Sequence, residues 1–277
     1  MRGCAGLAIA LCAGAATADP ALHHVRSVTV QSELPDFGGL SAVETTDGTS
    51  FVVLSDRGQA YDLTFDRGRN AISIAPRPHP APDRDSEGLA YAGADLFYSY
   101  EGPAELRDAS GTLLPGDPAF DSWSINSGFE ALAAGSDGTL YAVPERSGAK
   151  AHPFPVFRYR NGTWDIARTF PRTGAFLPVG ADFGPDGRLY VLERAFSALG
   201  FRSRIRRMAP DGDDAVETLL TTRLGLHDNL EGITVWTSHA GQVCITMVSD
   251  NNFLSVQRTE IVEYSLSAPL AAGRACD

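Results

Sequence analysis

Acidic residues recur at matching positions in several short apolar segments of this chain. Glu87, Glu130 and Glu231 each stand near the beginning of an apolar run of strand length. A second set of acids ends the next apolar run of each unit, namely Asp56, Glu101, Glu145, Glu193 and Asp250. In an antiparallel hairpin the start of one strand and the end of the next lie side by side. We therefore expect eight carboxylates to converge at one end of the fold.

Crowded carboxylates of this kind predict a metal site. Like charges at short range raise one another's pKa or recruit a cation, and calcium tolerates irregular sets of carboxylate oxygens. The predicted calcium ligands are Glu87, Glu101, Glu130, Glu231 and Asp250. The residues expected to act as catalytic acids or bases are three of these, Glu87, Glu130 and Glu231.

Three arginines directly follow an acid at the end of a second strand. Arg57, Arg146 and Arg194 are candidates for binding an anionic substrate. The alternative is that they pair with neighbouring acids and hold the ring together. A further alternating set, Arg202, Arg204 and Arg206, favours a solvated outer strand over a phosphate grip. His227 is expected to be an exposed loop residue.

Other catalytic motifs are absent from the sequence. Residues 39–43 resemble a serine nucleophile elbow but end in Val43, where that motif requires glycine. The sequence has no His-Glu-x-x-His zinc motif, no P-loop and no Gly-x-Gly-x-x-Gly dinucleotide motif. A serine nucleophile therefore has no support from the sequence.

The elements that must position the acids form a repeat. Five short phrases centred on Leu40, Leu89, Leu132, Ala181 and Ile233 are 43 to 52 residues apart. Each begins an apolar run, a turn and a second run, and outer strands follow in most units. This predicts an all-β propeller with five four-stranded blades, whose ring is closed by an N-terminal strand over residues 24–30. A sixth, degenerate blade in residues 101–128 is the alternative.

Composition limits the partners and the compartment. The net charge of −11 argues against nucleic acid and anionic membranes as partners. Residues 1–18 read as a secretory signal peptide, so 19–277 is predicted to be a single exported domain, periplasmic or secreted, with no membrane span. Cys244 and Cys276 are either a disulfide or two separate thiols. The oligomeric state stays open.

Several phrases together resemble the phytase-like propeller family, described as having esterase-like activity. They run in order along the chain, at residues 37–41, 85–90, 126–132, 192–196, 204–207, 228–232 and 249–253. The resemblance implies an exported bacterial propeller that hydrolyses a small anionic phosphate or carboxylate ester with the help of calcium. A clear copy of the Asp-rich opening motif of calcium phytases is missing. The alternatives are a non-catalytic propeller that binds a ligand or partner, and a lactonase with a single metal in its channel.

Overall fold

The fold is given by a computed structural model. It describes residues 22–102, 104–118, 120, 128–147, 152–212, 214–266 and 276–277. The predicted signal peptide, residues 1–18, lies outside the described residues. Within the described residues there is no helix with the length and hydrophobicity that a bilayer crossing requires.

Within these described ranges, nineteen β-strands form five antiparallel sheets. Strand β1 is His23–Thr29. Blade 1 contains β2 (Leu40–Thr45), β3 (Ser50–Ser55), β4 (Gln59–Asp66) and β5 (Ala71–Arg77). Blade 2 contains β6 (Ser86–Ala92), β7 (Asp95–Tyr100) and β8 (Glu105–Asp108). Blade 3 contains β9 (Ala131–Ala134), β10 (Leu140–Val143), β11 (Phe154–Arg160) and β12 (Thr163–Phe170). Blade 4 contains β13 (Leu177–Phe183), β14 (Leu189–Ser197), β15 (Gly200–Met208) and β16 (Glu217–Thr221). Blade 5 contains β17 (Asn229–Thr237), β18 (Val243–Asp250) and β19 (Glu260–Ser265).

The five sheets form a closed ring. The inner strands β2, β6, β9, β13 and β17 contact one another in this order, and β17 also contacts β2. The direct contact between β6 and β9 leaves no room for a sixth blade, so the alternative of six blades was wrong. Strand β1 pairs with β19 and completes blade 5, which confirms the predicted closure. In the described residues blade 2 has three strands, followed by an isolated bridge between Arg107 and Leu113.

Small residues in the repeated phrase allow the inner strands to approach closely. A Cβ atom added to Gly180 would lie 2.4 Å from the carbonyl oxygen of Glu231 in the next blade. One added to Gly232 would lie 2.9 Å from the Cα atom of Ala42. Real Cβ atoms need more space than this, so glycine is required where the backbones of neighbouring blades meet.

A β-bulge occurs at the same level of four inner strands. The pairing register shifts around Ser41 in blade 1, Glu87 in blade 2, Val179 in blade 4 and Glu231 in blade 5. In blade 3, Glu130 directly precedes β9. A bulge redirects a side chain at the end of a strand. The residue of blade 1 that corresponds to Glu87 is therefore Ser41. The residue that corresponds to Leu89 is Val43, whereas the sequence repeat suggested Leu40 for this position.

The structure settles the state of the two cysteines and the exposure of His227. A disulfide bond joins Cys244 in β18 to Cys276, near the C-terminus. His227 is buried, and its Nε2 atom lies 2.8 Å from the hydroxyl of Tyr264. The expectation of an exposed histidine was wrong, because the connection between β16 and β17 folds down against β19.

Candidate functional site

Eight carboxylates gather at the end of the channel where the inner strands begin. We call this group the acidic mouth. It consists of Asp56, Asp85, Glu87, Glu101, Glu130, Glu145, Glu231 and Asp250. Burial, together with the charges of neighbouring acids, raises the pKa values of six of them, namely Asp56, Glu87, Glu101, Glu130, Glu231 and Asp250. The sequence predicted seven of the eight, with Glu193 in the place that Asp85 takes in the structure.

Three glutamates lie deepest in the acidic mouth. Burial, helped by the charge of Glu145, raises the pKa of Glu130 to about 8. Burial also raises the pKa of Glu231 to about 7, against the opposing effect of Arg194. The pKa of Glu87 lies well above its usual range because of burial and the nearby charge of Glu130. The fold thus holds three acids together that resist being charged at the same time.

The channel narrows directly below these glutamates. Glu87 and Glu130 line a cavity of about 10 Å³ together with the small and aliphatic residues of the inner strands. A space of this size holds about one water molecule. A molecule larger than water therefore cannot pass from the acidic mouth into the channel.

Asp85, Glu87 and Glu101 form a group of carboxylates suited to a metal ion. One oxygen from each lies within 4.8 Å of the others. The backbone N–H of Glu101 donates to the carbonyl of Asp85 at 3.1 Å, which holds the two chain segments together. Burial raises the pKa of Asp85, and burial with the charge of Asp85 raises that of Glu101. Sequence reasoning missed Asp85, although it stands two residues before Glu87.

A serine and a histidine meet beside this group, but they are not arranged as nucleophile and base. The Oγ atom of Ser86 lies 3.0 Å from Nε2 of His79. The Nδ1 atom of His79 accepts a hydrogen bond from the backbone N–H of Ala81 at 3.1 Å. In the neutral ring the proton is therefore on Nε2, which donates to Ser86. The contact holds the strand that carries Glu87, and it agrees with the absence of a serine elbow in the sequence.

Of the three arginines predicted to bind an anion, Arg194 enters the acidic mouth. Its Nη1 atom forms an ion pair with Glu231 and donates to Oδ1 of Asn229 at 2.9 Å. Its Nη2 atom reaches Oε1 of Glu145 at 3.2 Å. The amide of Asn229 also donates to Glu231 at 2.8 Å and to Asp250 at 3.1 Å. The guanidinium is therefore engaged by acids of blades 3 and 5, as the pairing alternative predicted.

The other two arginine candidates lie at the edge of the acidic mouth. The guanidinium of Arg57 stacks on the ring of Phe253, 3.5 Å from its centroid. Arg146 is 67% exposed and approaches its neighbour Glu145 at 3.5 Å. Neither side chain enters the mouth as Arg194 does.

Glu193 is turned away from the acidic mouth, so the prediction that it belongs there was wrong. It faces Arg204 and Arg206 of the adjacent strand β15, which together donate four hydrogen bonds of 2.6 to 2.7 Å to its two oxygens. All three side chains are buried. For Arg204 and Arg206 both sequence interpretations were therefore wrong, because their guanidinium groups neither face solvent nor are free to bind a phosphate. Arg202 is exposed, as expected for a solvated outer strand.

A second pair of buried acids lies at the opposite end of the channel. The hydroxyl of Thr234 is 3.4 Å from Glu44 and 3.1 Å from Asp182. Burial raises the pKa of Asp182 to about 7, although backbone N–H groups of Val235 and Phe183 donate to its carboxylate. The pair borders a cavity of about 440 Å³. Sequence reasoning missed it, because both acids stand at the far ends of inner strands.

The fold and the acidic mouth together define a five-bladed propeller with an acid-lined opening. The family model for phytase-like proteins, described as "esterase-like activity of phytase", matches residues 35–253. The chain therefore belongs to the phytase-like family, as the resemblance predicted. No curated protein matches the sequence significantly.

Solved structures with the same fold have very different sequences. The α-L-arabinofuranosidase of Podospora anserina is 9% identical, with 91% of this chain and 99% of that chain covered, at a TM-score of 0.53. The catalytic domain of an α-L-arabinofuranosidase from Coprinopsis cinerea is also 9% identical, with 90% and 98% covered, at a TM-score of 0.54. At this level of identity the similarity shows the fold alone.

Proposed function

We propose that this protein is a calcium-assisted hydrolase that cleaves carboxylate or phosphate esters at the acidic mouth. One observation carries the proposal. Three carboxylates, from Asp85, Glu87 and Glu101, bring oxygens within 4.8 Å of one another, and Glu130 belongs to the same electrostatic group with a pKa near neutrality. A cation site beside a titratable base is an arrangement suited to hydrolysis.

The donor set of the acidic mouth fits calcium. All the candidate ligands are carboxylate oxygens, which hard cations prefer, and calcium accepts six to eight of them at uneven spacing. Asp85, Glu87 and Glu101 would hold the ion. Calcium bound there would polarise the carbonyl or phosphoryl oxygen of a substrate. Its charge would also offset the repulsion that raises the pKa of Glu87.

Glu130 is the residue we assign as general base. Among the described residues, no hydrogen-bond donor or cation directly contacts its carboxylate, whereas Glu231 is held by Arg194 and Asn229. Glu130 would take a proton from a water molecule as the water oxygen attacks the ester. The bond to the leaving group then breaks, and the proton passes from Glu130 to the departing oxygen. A base with a pKa of about 8 is suited to both transfers near neutral pH.

Arg194 and Glu231 have a supporting role in this proposal. The ion pair between them favours the charged form of Glu231. The same guanidinium lowers the pKa of Glu130, which brings the base closer to neutral pH. We therefore assign Arg194 to positioning and charge balance, and not to direct binding of an anionic substrate.

Export remains part of the proposal. The predicted signal peptide directs the chain to an oxidising compartment, either periplasmic or extracellular. The disulfide between Cys244 and Cys276 supports this location, because such bonds persist mainly in oxidising surroundings.

The test uses the purified protein after treatment with a chelator. Carboxylate esters, phosphate esters and lactones are assayed with and without added calcium. We expect calcium to restore hydrolysis of at least one ester class, and we expect Glu87→Gln and Glu130→Gln to abolish it. Glu217→Gln is the matched control, because Glu217 lies on outer strand β16 and pairs with Arg207. Tight calcium binding without turnover of any substrate would contradict the hydrolase and favour the binding propeller.

A further inference from the structure

Large apolar side chains are exposed mainly on one side of the acidic mouth. Among the described residues, six of the eight large hydrophobic side chains that are exposed lie in the β14–β15 hairpin and in loops of blades 4 and 5, at this end of the propeller. We call this group the apolar rim. It consists of Phe196, Leu199, Leu224, Leu226, Leu254 and Val256. Concentration of exposed apolar surface in one place is typical of a binding site.

The hairpin of β14 and β15 raises part of the apolar rim above the ring. Inner strand β13 has its last partner at Arg194, but the hairpin continues for three more residue pairs, ending at Ser197 and Gly200. Phe196 lies opposite Phe201 within this extension, with ring centroids 5.1 Å apart. The hairpin is therefore a paired projection with an aromatic face.

Phe196 and Arg194 lie on the same side of β14, because side chains two residues apart on a strand share a face. Arg194 points toward Glu231 and Asn229 of blade 5. The face that carries Phe196 therefore continues from the acidic mouth toward blade 5. Polar and apolar surfaces meet without a break along this strand.

Two loops complete the apolar rim and are fixed by hydrogen bonds. The backbone N–H of Gly225 donates to the carbonyl of Phe201 at 2.9 Å, which places Leu224 and Leu226 beside the hairpin. The side chain of Gln257 donates to Asp228 at 3.0 Å and ties the loop of Leu254 to the same connection. The apolar side chains are thus presented by a fixed backbone.

The acidic mouth and the apolar rim together suit a molecule that has an uncharged polar group and an apolar chain. The carboxylates of the acidic mouth disfavour an anionic group, and the six side chains of the apolar rim are uncharged. We propose that the apolar rim holds the acyl chain of an uncharged carboxylic ester, with the ester group over Asp85, Glu87 and Glu130. This inference rests on the proposed function and narrows its substrate class. The bond between the acyl carbon and the alkoxy oxygen is cleaved. Water supplies the hydroxyl group of the carboxylic acid and the proton of the alcohol.

The first test compares 4-nitrophenyl acetate and 4-nitrophenyl octanoate with the calcium-loaded protein. Six additional methylene groups that are partly buried increase kcat/KM by at least about tenfold. The double variant Phe196→Ser/Leu199→Ser should lose this preference while keeping its activity on the acetate. Both side chains are exposed, so the fold should tolerate the change. Ile166→Ser is the control, because Ile166 is similarly exposed on outer strand β12. Equal kcat/KM for both esters would overturn the proposal.

A second measurement separates this inference from the proposed function. N-methyloctanamide and N-methylacetamide are uncharged and are not hydrolysed under the assay conditions, and their binding is measured by calorimetry. Tighter binding of the octanamide, lost in the double variant, would support the apolar rim even if no ester is hydrolysed. Hydrolysis without any effect of chain length would agree with the proposed hydrolase function but contradict acyl-chain binding at the apolar rim. Binding of the wild type to phosphatidylcholine vesicles, without any octanamide binding, would show that the rim contacts a membrane and would overturn the proposal.

Discussion

The surroundings of Glu193 and the acidic mouth differ in their supply of positive charge. Glu193 in blade 4 receives four hydrogen bonds from Arg204 and Arg206. In the acidic mouth there are eight carboxylates, and of the three candidate arginines Arg194 pairs with them directly, whereas Arg57 and Arg146 lie at the edge. The first group is internally balanced. The second has a deficit of positive charge that a bound cation would remove.

This difference distinguishes structure from function. Breaking a compensated buried ion pair leaves a charge without a partner, which strongly destabilises a fold. Removing one of several crowded carboxylates relieves repulsion and costs the fold little. Stability and calcium binding should therefore respond in opposite ways to substitutions in the two groups.

The largest expected effect is on stability at Glu193. Glu193→Ala leaves Arg204 and Arg206 buried without a carboxylate partner, although each still donates to a backbone carbonyl, that of Thr173 or Pro171. The free energy of unfolding should fall by about 3–5 kcal/mol. Urea unfolding followed by circular dichroism measures this change. A loss below about 1 kcal/mol would show that solvent reaches the two arginines and that the group is not balanced internally.

The matched substitution in the acidic mouth should have the opposite sign. Glu130→Gln removes a buried carboxylate that has a pKa of about 8 and no direct cationic partner among the described residues. In calcium-free protein at about pH 8 we expect the melting temperature to stay level or to rise by a few degrees. A clear fall in melting temperature would mean that Glu130 is ionised and well paired, which would remove the contrast with Glu193.

The pH dependence of stability offers a subtler comparison. The pKa values of Glu130 and Glu231 are raised to about 8 and about 7 in the folded protein, above their ordinary value of 4.5. Between the ordinary pKa of 4.5 and these raised values, the folded state binds more protons than the unfolded state. The free energy of unfolding therefore falls as pH rises through this range. Calcium-free protein should melt at a lower temperature at about pH 8 than at about pH 5. Added calcium should flatten the profile. A profile that rises over this range with calcium absent would contradict the account.

The smallest expected effect concerns the two arginines that contact Glu145. Arg194 lowers the pKa of both Glu231 and Glu130. In Arg194→Gln, the acidic limb of the kcat/KM profile should move toward higher pH by about one unit. Arg146→Gln is the control, because Arg146 is largely exposed and its charge is screened by solvent. Equal shifts in both variants would indicate a general effect of net charge.

The sequence predicted the ring well, because the repeat depends on local patterns. Turn residues and apolar runs indicated the hairpins, and the unpaired N-terminal strand predicted closure onto β19. The close approach of neighbouring blades at Gly180 and Gly232, in contrast, became visible only in the structure. The turns and apolar runs are local in sequence, so they could be read without knowing how the blades pack.

The errors at the site arose from strand register, which sequence alone does not specify. Glu193 and Arg194 are adjacent and therefore point to opposite sides of β14. The pairing of Glu193 with Arg204 on β15 decides which of the two faces the mouth. Asp85 was missed because it stands before the strand, where a backbone contact with Glu101 determines its position.

The most direct test of the central claim is calcium titration of chelator-treated protein by calorimetry at about pH 8. We expect calcium to bind to the wild type and to Glu217→Gln with similar affinity. Binding to Glu87→Gln should be at least about 100-fold weaker, since a candidate ligand is lost. Undiminished calcium affinity in Glu87→Gln, or no calcium binding to the wild type, would contradict a cation site in the acidic mouth.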